Sequence, residues 1–313
     1  MSGSIFTARP GRTPLPSLIA AVRDVPALAA ADVRGVTRLN GMSNTTCLVR
    51  LDERRVVVRI PAGGDDPVVD RVVELANTKV AADEGLGPPV IAADPDRQLL
   101  ITQYVDGVAL TPSTVRRSAM IERVARLLAR LHGLNARRFR GRFGVGEVLD
   151  RYGRWLAAAD DPPKGDDLVL LRRARRVCTA LARTAAAVPC HNDPWPSNII
   201  DAGDRLVLVD WEYSGIGDPV WDLAHFAVEA DLDPDEVERL LCAWSGGPPS
   251  PGLRARLALW RPVTDVVWGL WARVQHHGGN DGFDLMAYAA HRLRRAHDRL
   301  DEDVASHAER IHE

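Results

Sequence analysis

The sequence predicts an α+β fold of two lobes, a small one built on an antiparallel sheet and a larger, mainly helical one. Three observations lead there. A chain of 313 residues with 46% hydrophobic content can bury two separate cores. Residues 33–105 read as short strands rich in Val, Ile and Thr, broken by Gly, Asp and Pro, with one helical stretch among them. Beyond Asp106 and Gly107, long segments rich in Ala, Leu and Arg take over with helical spacing.

In chain order the strands are VTRLNGM, TCLVRL and RRVVVRIP, then VIAA and QLLITQYV after a helix in DRVVELANTKVAADEGL. These place the first lobe at residues 1–105 and the second at 106–313. In the second lobe, SAMIERVARLLARLHGL and LVLLRRARRVCTALARTA are helices. The helical run breaks once, at CHNDPWPSNIIDAGDRLVLVDWEYSGIGDP, where turn-forming residues surround one apolar strand, RLVLVD. Loops on a rigid scaffold are where chemistry concentrates. Helices resume at PVWDLAHFAVEA and run on, with breaks at GGPPSPG and HHGGNDG.

The bulk charge narrows the partners. A formal charge of -2 and a pI near 6.5 lack the basic excess of a nucleic-acid binder, so a small molecule is the expected partner. Cys47, Cys178, Cys190 and Cys242 show no paired short spacing, which argues against a disulfide framework or a cysteine zinc site. No signal-like segment and no uncharged run of membrane-spanning length is present, so we expect a cytoplasmic protein with no membrane insertion. His225, His276 and His277 lack a third ligand at recognisable spacing and are not read as a metal site.

The segment His191–Asn198, HNDPWPSN, sets Asp193 and Asn198 five residues apart in a loop, and Asp210 follows the strand RLVLV. Phosphoryl transfer needs this set: an acidic group beside the attacking hydroxyl, and oxygen ligands for a divalent cation on the phosphates. Taken singly, these residues are ordinary turn formers and a helix cap. Flanking one strand together, they point to catalysis.

With LNGMSN, VVVRIPA, DRVVE, ITQYVDG, LHGL, CHNDPWPSNII, LVDWEYSGIGDPVWDLA and VVWGLWARVQ in that order, the chain resembles the choline and ethanolamine kinase family within the wider aminoglycoside phosphotransferase group, from about Val36 to about Arg299. The resemblance implies a protein-kinase-like two-lobed fold and use of ATP and Mg2+. By that likeness Asp193 is the catalytic acid or base, Asn198 and Asp210 hold magnesium, His191 braces the loop, and Asp222 supports it from below. In the first lobe, Gly41, Ser43 and Asn44 would lie in a turn closing over the ATP phosphates. The only lysines, Lys79 and Lys164, lie outside RRVVVRIP, so Arg59 would take the phosphate-gripping role, paired with Glu74. The other reading of that pair is a surface ion pair on a strand edge. Gln103, Tyr104 and Val105 would offer backbone groups to the adenine.

Trp268 and Trp271 are three apart and share a helix face, an arrangement that core packing alone can explain. In the family that this helix resembles, such tryptophans belong to a box around a quaternary ammonium. Tyr213, Glu229 and Tyr288 would complete it, with Glu229 attracting the cation at long range. The family's aromatic stretch beyond that glutamate is here ADLDPDE, which removes one wall. Trp195 would contact substrate or prop the loop. A small cationic amino alcohol is the first expected acceptor; an aminoglycoside or other hydroxylated metabolite, or a silent nucleotide-binding module, are the alternatives.

Overall fold

The computed structural model describes residues 15–26, 28–39, 44–61, 66–117, 119–183, 186–280, 283–301 and 304, without the side chains of 15–18 and 61. Gly41 and Ser43 lie outside the described residues.

A helix that the sequence reading did not anticipate, α1 (Leu15–Arg23), opens the described chain. Then come β1 (Val33–Arg38), β2 (Asn44–Leu51), β3 (Arg55–Pro61), α2 (Arg71–Asp83), β4 (Val90–Asp94) and β5 (Leu99–Gln103). The strands form one antiparallel sheet in the order β1-β2-β3-β5-β4, in which Cys47 faces Val58 and Val58 faces Ile101 across the register. Every second residue of β2 and β3 points to one face, so Cys47, Val49, Val56 and Val58 share a buried surface with Val22 of α1 and Ile101. That surface is the smaller of two cores. Asp70 caps α2 by accepting the Val72 and Val73 amides, which fixes where the helix begins and so where Glu74 falls.

The rest of the chain comprises β6 (Val108–Ala109), α3 (Pro112–Val115), α4 (Met120–His132), α5 (Val145–Ala158), α6 (Gly165–Ala182), β7 (Val188–Cys190), β8 (Ile199–Asp201), β9 (Leu206–Leu208), β10 (Gly215–Gly217), α7 (Pro219–Glu229), α8 (Pro234–Ser245), α9 (Pro251–His277) and α10 (Leu285–His297). The helices enclose the larger core. Short pairs β7 with β10 and β8 with β9 carry the loops between them. Ala81 and Leu86, at the far end of α2, belong to this larger core, so α2 ties the sheet to the helices.

Helix α9 is the spine, packing on α5, α6, α7 and α10. Gly269 permits its close approach to α10, because a Cβ there would meet Leu293 Cδ2 at 2.9 Å. No helix among the described residues is long and apolar enough to cross a membrane.

Candidate active site

The loop after β7 is held from beneath by a single carboxylate. Asp222, on the first turn of α7 and fully buried, accepts the Asn192 amide at 2.7 Å and the His191 amide at 2.9 Å. His132 Nε2 donates to the same carboxylate at 3.0 Å, and its tautomer follows from Trp244, whose indole N–H reaches His132 Nδ1 at 2.9 Å. Asn192 adopts a left-handed φ of 66°, which an asparagine tolerates, and its side chain donates to the Tyr213 carbonyl at 2.9 Å. His191 donates from Nε2 to the Val209 carbonyl at 2.9 Å. Burial pushes its pKa down to about 4, so it is a neutral brace at pH 7.

This bracing presents Asp193 and Asn198. Asn198 Nδ2 donates to the Asp193 carbonyl at 3.0 Å and to its Oδ2 at 3.1 Å, bonds that use its amide nitrogen and not its side-chain oxygen. The Asp193 carboxyl is raised well above the usual range, first by burial and then by the charges of Asp210, Glu229 and Glu212. Asp210 has a positive φ of 63°, an uncommon conformation for aspartate that turns the chain immediately after the strand segment. Burial, followed by the charge of Glu212, raises its carboxyl to about 7 against the opposing pull of Arg59.

Above this group sit the residues of the sheet and α2. Arg59 is ion-paired with Glu74, and its Nη1 lies 3.5 Å from Asp210 Oδ1 and 3.9 Å from Glu212 Oε2. Arg59 is 7% and Glu74 2% exposed, so the pair is interior rather than a strand-edge contact. Arg71 adds a second cation, 2.9 Å from both Glu74 Oε2 and Glu212 Oε2. Asn44 Nδ2 donates to Glu212 Oε2 at 2.8 Å and Asn44 Oδ1 accepts from Arg71 at 3.2 Å, which ties the start of β2 into the same network.

Three carboxylates, Glu74, Asp210 and Glu212, thus meet two guanidiniums, Arg59 and Arg71, while Asp193 feels the charges of Asp210 and Glu212. Their surplus negative charge, together with a carboxamide oxygen, is a donor set of the hard-oxygen kind that suits Mg2+. The sequence alone does not single out Arg71 or Glu212, which lie within DRVVE and LVDWEYSGIGDPVWDLA. Their signals were spacing: Arg71 is three before Glu74 on one helix face, and Glu212 is two after Asp210.

At the segment linking sheet and helices, the Gln103 amide is spent on the Pro89 carbonyl at 2.9 Å and the Tyr104 amide on the Arg55 carbonyl at 3.1 Å. Of the three residues expected to face an adenine, Val105 is left to offer its N–H.

The aromatic residues converge. Tyr213 meets Trp268 edge-on at 5.3 Å, Trp268 meets Trp271 at 5.9 Å, and Trp271 meets Tyr288 at 6.4 Å. Trp195 stacks on Tyr288 at 6.4 Å, so the loop tryptophan lies against this ring set. His225, discounted as a metal ligand, stacks on Trp268 at 5.1 Å, and its Nε2 lies 3.7 Å from Asp193 and 3.4 Å from Glu229. The rings are therefore contiguous with the Asp193–Asn198 loop.

Glu229 departs from expectation in one respect. Arg292 forms an ion pair with it and lies over the Tyr288 ring at 5.2 Å. Burial opposes its ionisation, yet Arg292, and then His225, hold the carboxyl down at about 2. Its charge is thus compensated within the protein, and the long-range attraction expected of it is weakened.

With this geometry in hand, comparison with known proteins adds three findings. The chain matches the model of the phosphotransferase enzyme family over residues 35–260. It is 28% identical to Protein LicA of Haemophilus influenzae over 273 residues, 84% of this chain and 79% of that one, and 25% identical to ethanolamine kinase 2 of Mus musculus over 308 residues, 89% and 80% of the two chains. A solved choline/ethanolamine kinase family protein from Mesorhizobium loti superposes with a TM-score of 0.80 at 29% identity, covering 95% of this chain and 99% of that one.

Proposed function

We propose, for a chain that belongs to the phosphotransferase enzyme family, that it transfers the terminal phosphoryl group of ATP to the hydroxyl of a small cationic alcohol of the choline or ethanolamine type. The observation that carries this reading is the junction of Arg59 with both Glu74 and Asp210, beside the Asp193–Asn198 loop and its adjoining rings. One lobe, residues 1–105, covers the nucleotide, and the other, residues 106–313, carries the catalytic loop and the acceptor pocket. The kinase names of the relatives support the same chemistry.

In this reading Asp193 receives or orients the proton of the acceptor hydroxyl. Its raised pKa makes it a better base than a solvent-exposed aspartate, and Asn198 fixes its carboxylate. Asn198 and Asp210 hold Mg2+, which when bound neutralises charge on the phosphates. Arg59, aimed by Glu74, grips phosphate oxygens at two points and cannot lose its charge. Asn44, at the start of β2, covers the phosphates. Val105 donates to the adenine, and Gln103 offers its carbonyl. His191 and Asp222 keep the loop in place, so that positioning and charge neutralisation lower the barrier of a loose transition state. Tyr213, Trp268, Trp271 and Tyr288 enclose the cationic head, with Glu229 and its Arg292 partner setting the polarity at one side.

The test is ADP release with MgATP and a panel of amino alcohols, aminoglycosides and neutral alcohols. Turnover confined to the amino alcohols is the expected result. Turnover of a different class moves the acceptor, and nucleotide binding without transfer to any acceptor overturns the catalytic reading.

A further inference from the structure

We propose that Asp66, in the connection between β3 and α2, supplies the negative charge that meets the cationic head of the acceptor. It is thereby a specificity-determining residue of the site. The proposal rests on the reading that the acceptor is a small cationic alcohol.

Asp66 differs from other interior carboxylates of the protein. Glu229 is paired with Arg292, Asp265 with Arg292 and Arg295, Glu212 with Arg71, and Asp222 with His132. The partners of Asp66 are all neutral: the Val68 amide at 2.8 Å, the Tyr213 hydroxyl at 2.7 Å, the Tyr152 hydroxyl at 3.3 Å and Gln275 Nε2 at 3.4 Å. Arg151 of the adjacent helix α5 donates instead to the Pro67 carbonyl at 3.4 Å. Among the described residues Asp66 forms no ion pair. Burial raises its carboxyl to about 6, as an uncompensated charge requires. A carboxylate withdrawn from water without a counter-ion is the arrangement that an arriving organic cation relieves.

Its position joins it to the rings. Tyr213, whose hydroxyl it accepts, is the ring that meets Trp268 edge-on. Gln275 lies one turn beyond Trp271 on α9, so Asp66 closes the Tyr213 end of the ring set while Glu229 and Arg292 close the Tyr288 end. Val68 and Tyr213, which both donate to Asp66, also line a cavity of about 190 Å³ together with Phe143, Arg151 and Glu212. Rings attract a cation from any direction that exposes a face; a fixed carboxylate decides that the occupant must be charged.

Steady-state kinetics on a matched pair of alcohols tests this: choline, and the uncharged isostere in which carbon replaces nitrogen. Asp66→Asn keeps the shape and still accepts from Tyr213. It should raise KM for choline at least tenfold while changing KM for the isostere and for MgATP less than twofold. Asp66→Ser serves if the first variant does not fold. Equal changes for both alcohols, or none, would assign Asp66 to holding the lobes together and overturn the proposal. If the unmodified enzyme turns over neither alcohol, the acceptor reading fails. Calorimetric titration with tetramethylammonium then decides the Asp66 proposal. Binding that Asp66→Asn weakens tenfold or more supports it, and absent or unaltered binding overturns it.

Discussion

Arg59 Nη1 lies 3.5 Å from Asp210 Oδ1, so a strand of the sheet and the segment following β9 meet at one guanidinium. Because Glu74 and Glu212 share that cation, its removal leaves several acidic groups facing one another in the interior. Arg59→Met should therefore lower stability by about 3–5 kcal/mol, the cost of orphaning a buried charge. Adding Glu74→Gln should recover part of the loss. Chemical denaturation of the two single variants and the double variant measures the coupling; simple additivity would count against a shared network.

Asp193→Asn should cut turnover by roughly 10²–10⁴-fold, the usual contribution of a positioned acid or base. The melting temperature should hold or rise, because burial and the neighbouring Asp210 disfavour the charge being removed. Parallel ADP-release and melting measurements separate this from unfolding, which would instead lower both.

Asp222→Asn presents an amide to three donors, the His191 and Asn192 amides and His132, and can satisfy them only in part. Loss of about 2–4 kcal/mol is expected. Below its melting temperature the variant should show depressed kcat with little change in the acceptor KM, since Trp268, Trp271 and Tyr288 lie on α9 and α10. A change confined to KM would contradict the bracing role.

Trp271 is 3% exposed and touches both Trp268 and Tyr288, so alanine there removes core as well as pocket. We expect Trp271→Ala to lose about 3–5 kcal/mol of stability. Trp271→Phe is the sharper probe. It should raise KM for a cationic acceptor by about 2–5-fold, the share of one weakened ring contact. Unaltered acceptor kinetics in that variant would make the ring a packing element alone.

The pH dependence of stability should carry the signature of Asp66. Its folded-state pKa of about 6 lies above the ordinary value of 3.8, so its contribution is fully present below the ordinary value and is lost as pH rises through about 6. Between pH 4 and 7 the ligand-free protein should lose about 1–3 kcal/mol relative to Asp66→Asn, the lower part of that range reflecting partial solvent screening. Melting curves of both across this window measure the difference, and parallel curves would refute the shift.

Much of the fold was legible because it depends on local pattern. Runs rich in Val, Ile and Thr in RRVVVRIP and QLLITQYV marked β3 and β5, and HNDPWPSN interrupts the helical second lobe, between β7 and β8, as the sequence implied. Helix α1 escaped notice because its nine residues, LPSLIAAVR, are too short to show several turns of periodicity. Arg71, Glu212 and Asp66 escaped for another reason. Their spacing is unremarkable, and their significance comes from what approaches them in space.

The sequence by itself determined the succession of elements and the residue types able to hold phosphate, metal and proton, because backbone propensity and side-chain chemistry are properties of short stretches. Tertiary structure alone decided how charge is shared among them. Arg292, 63 positions from Glu229, neutralises it, whereas Asp66 meets Tyr213 across 147 positions and finds only neutral donors. Coulomb energy and desolvation depend on distance through space and on access to water, and neither is encoded in separation along the chain.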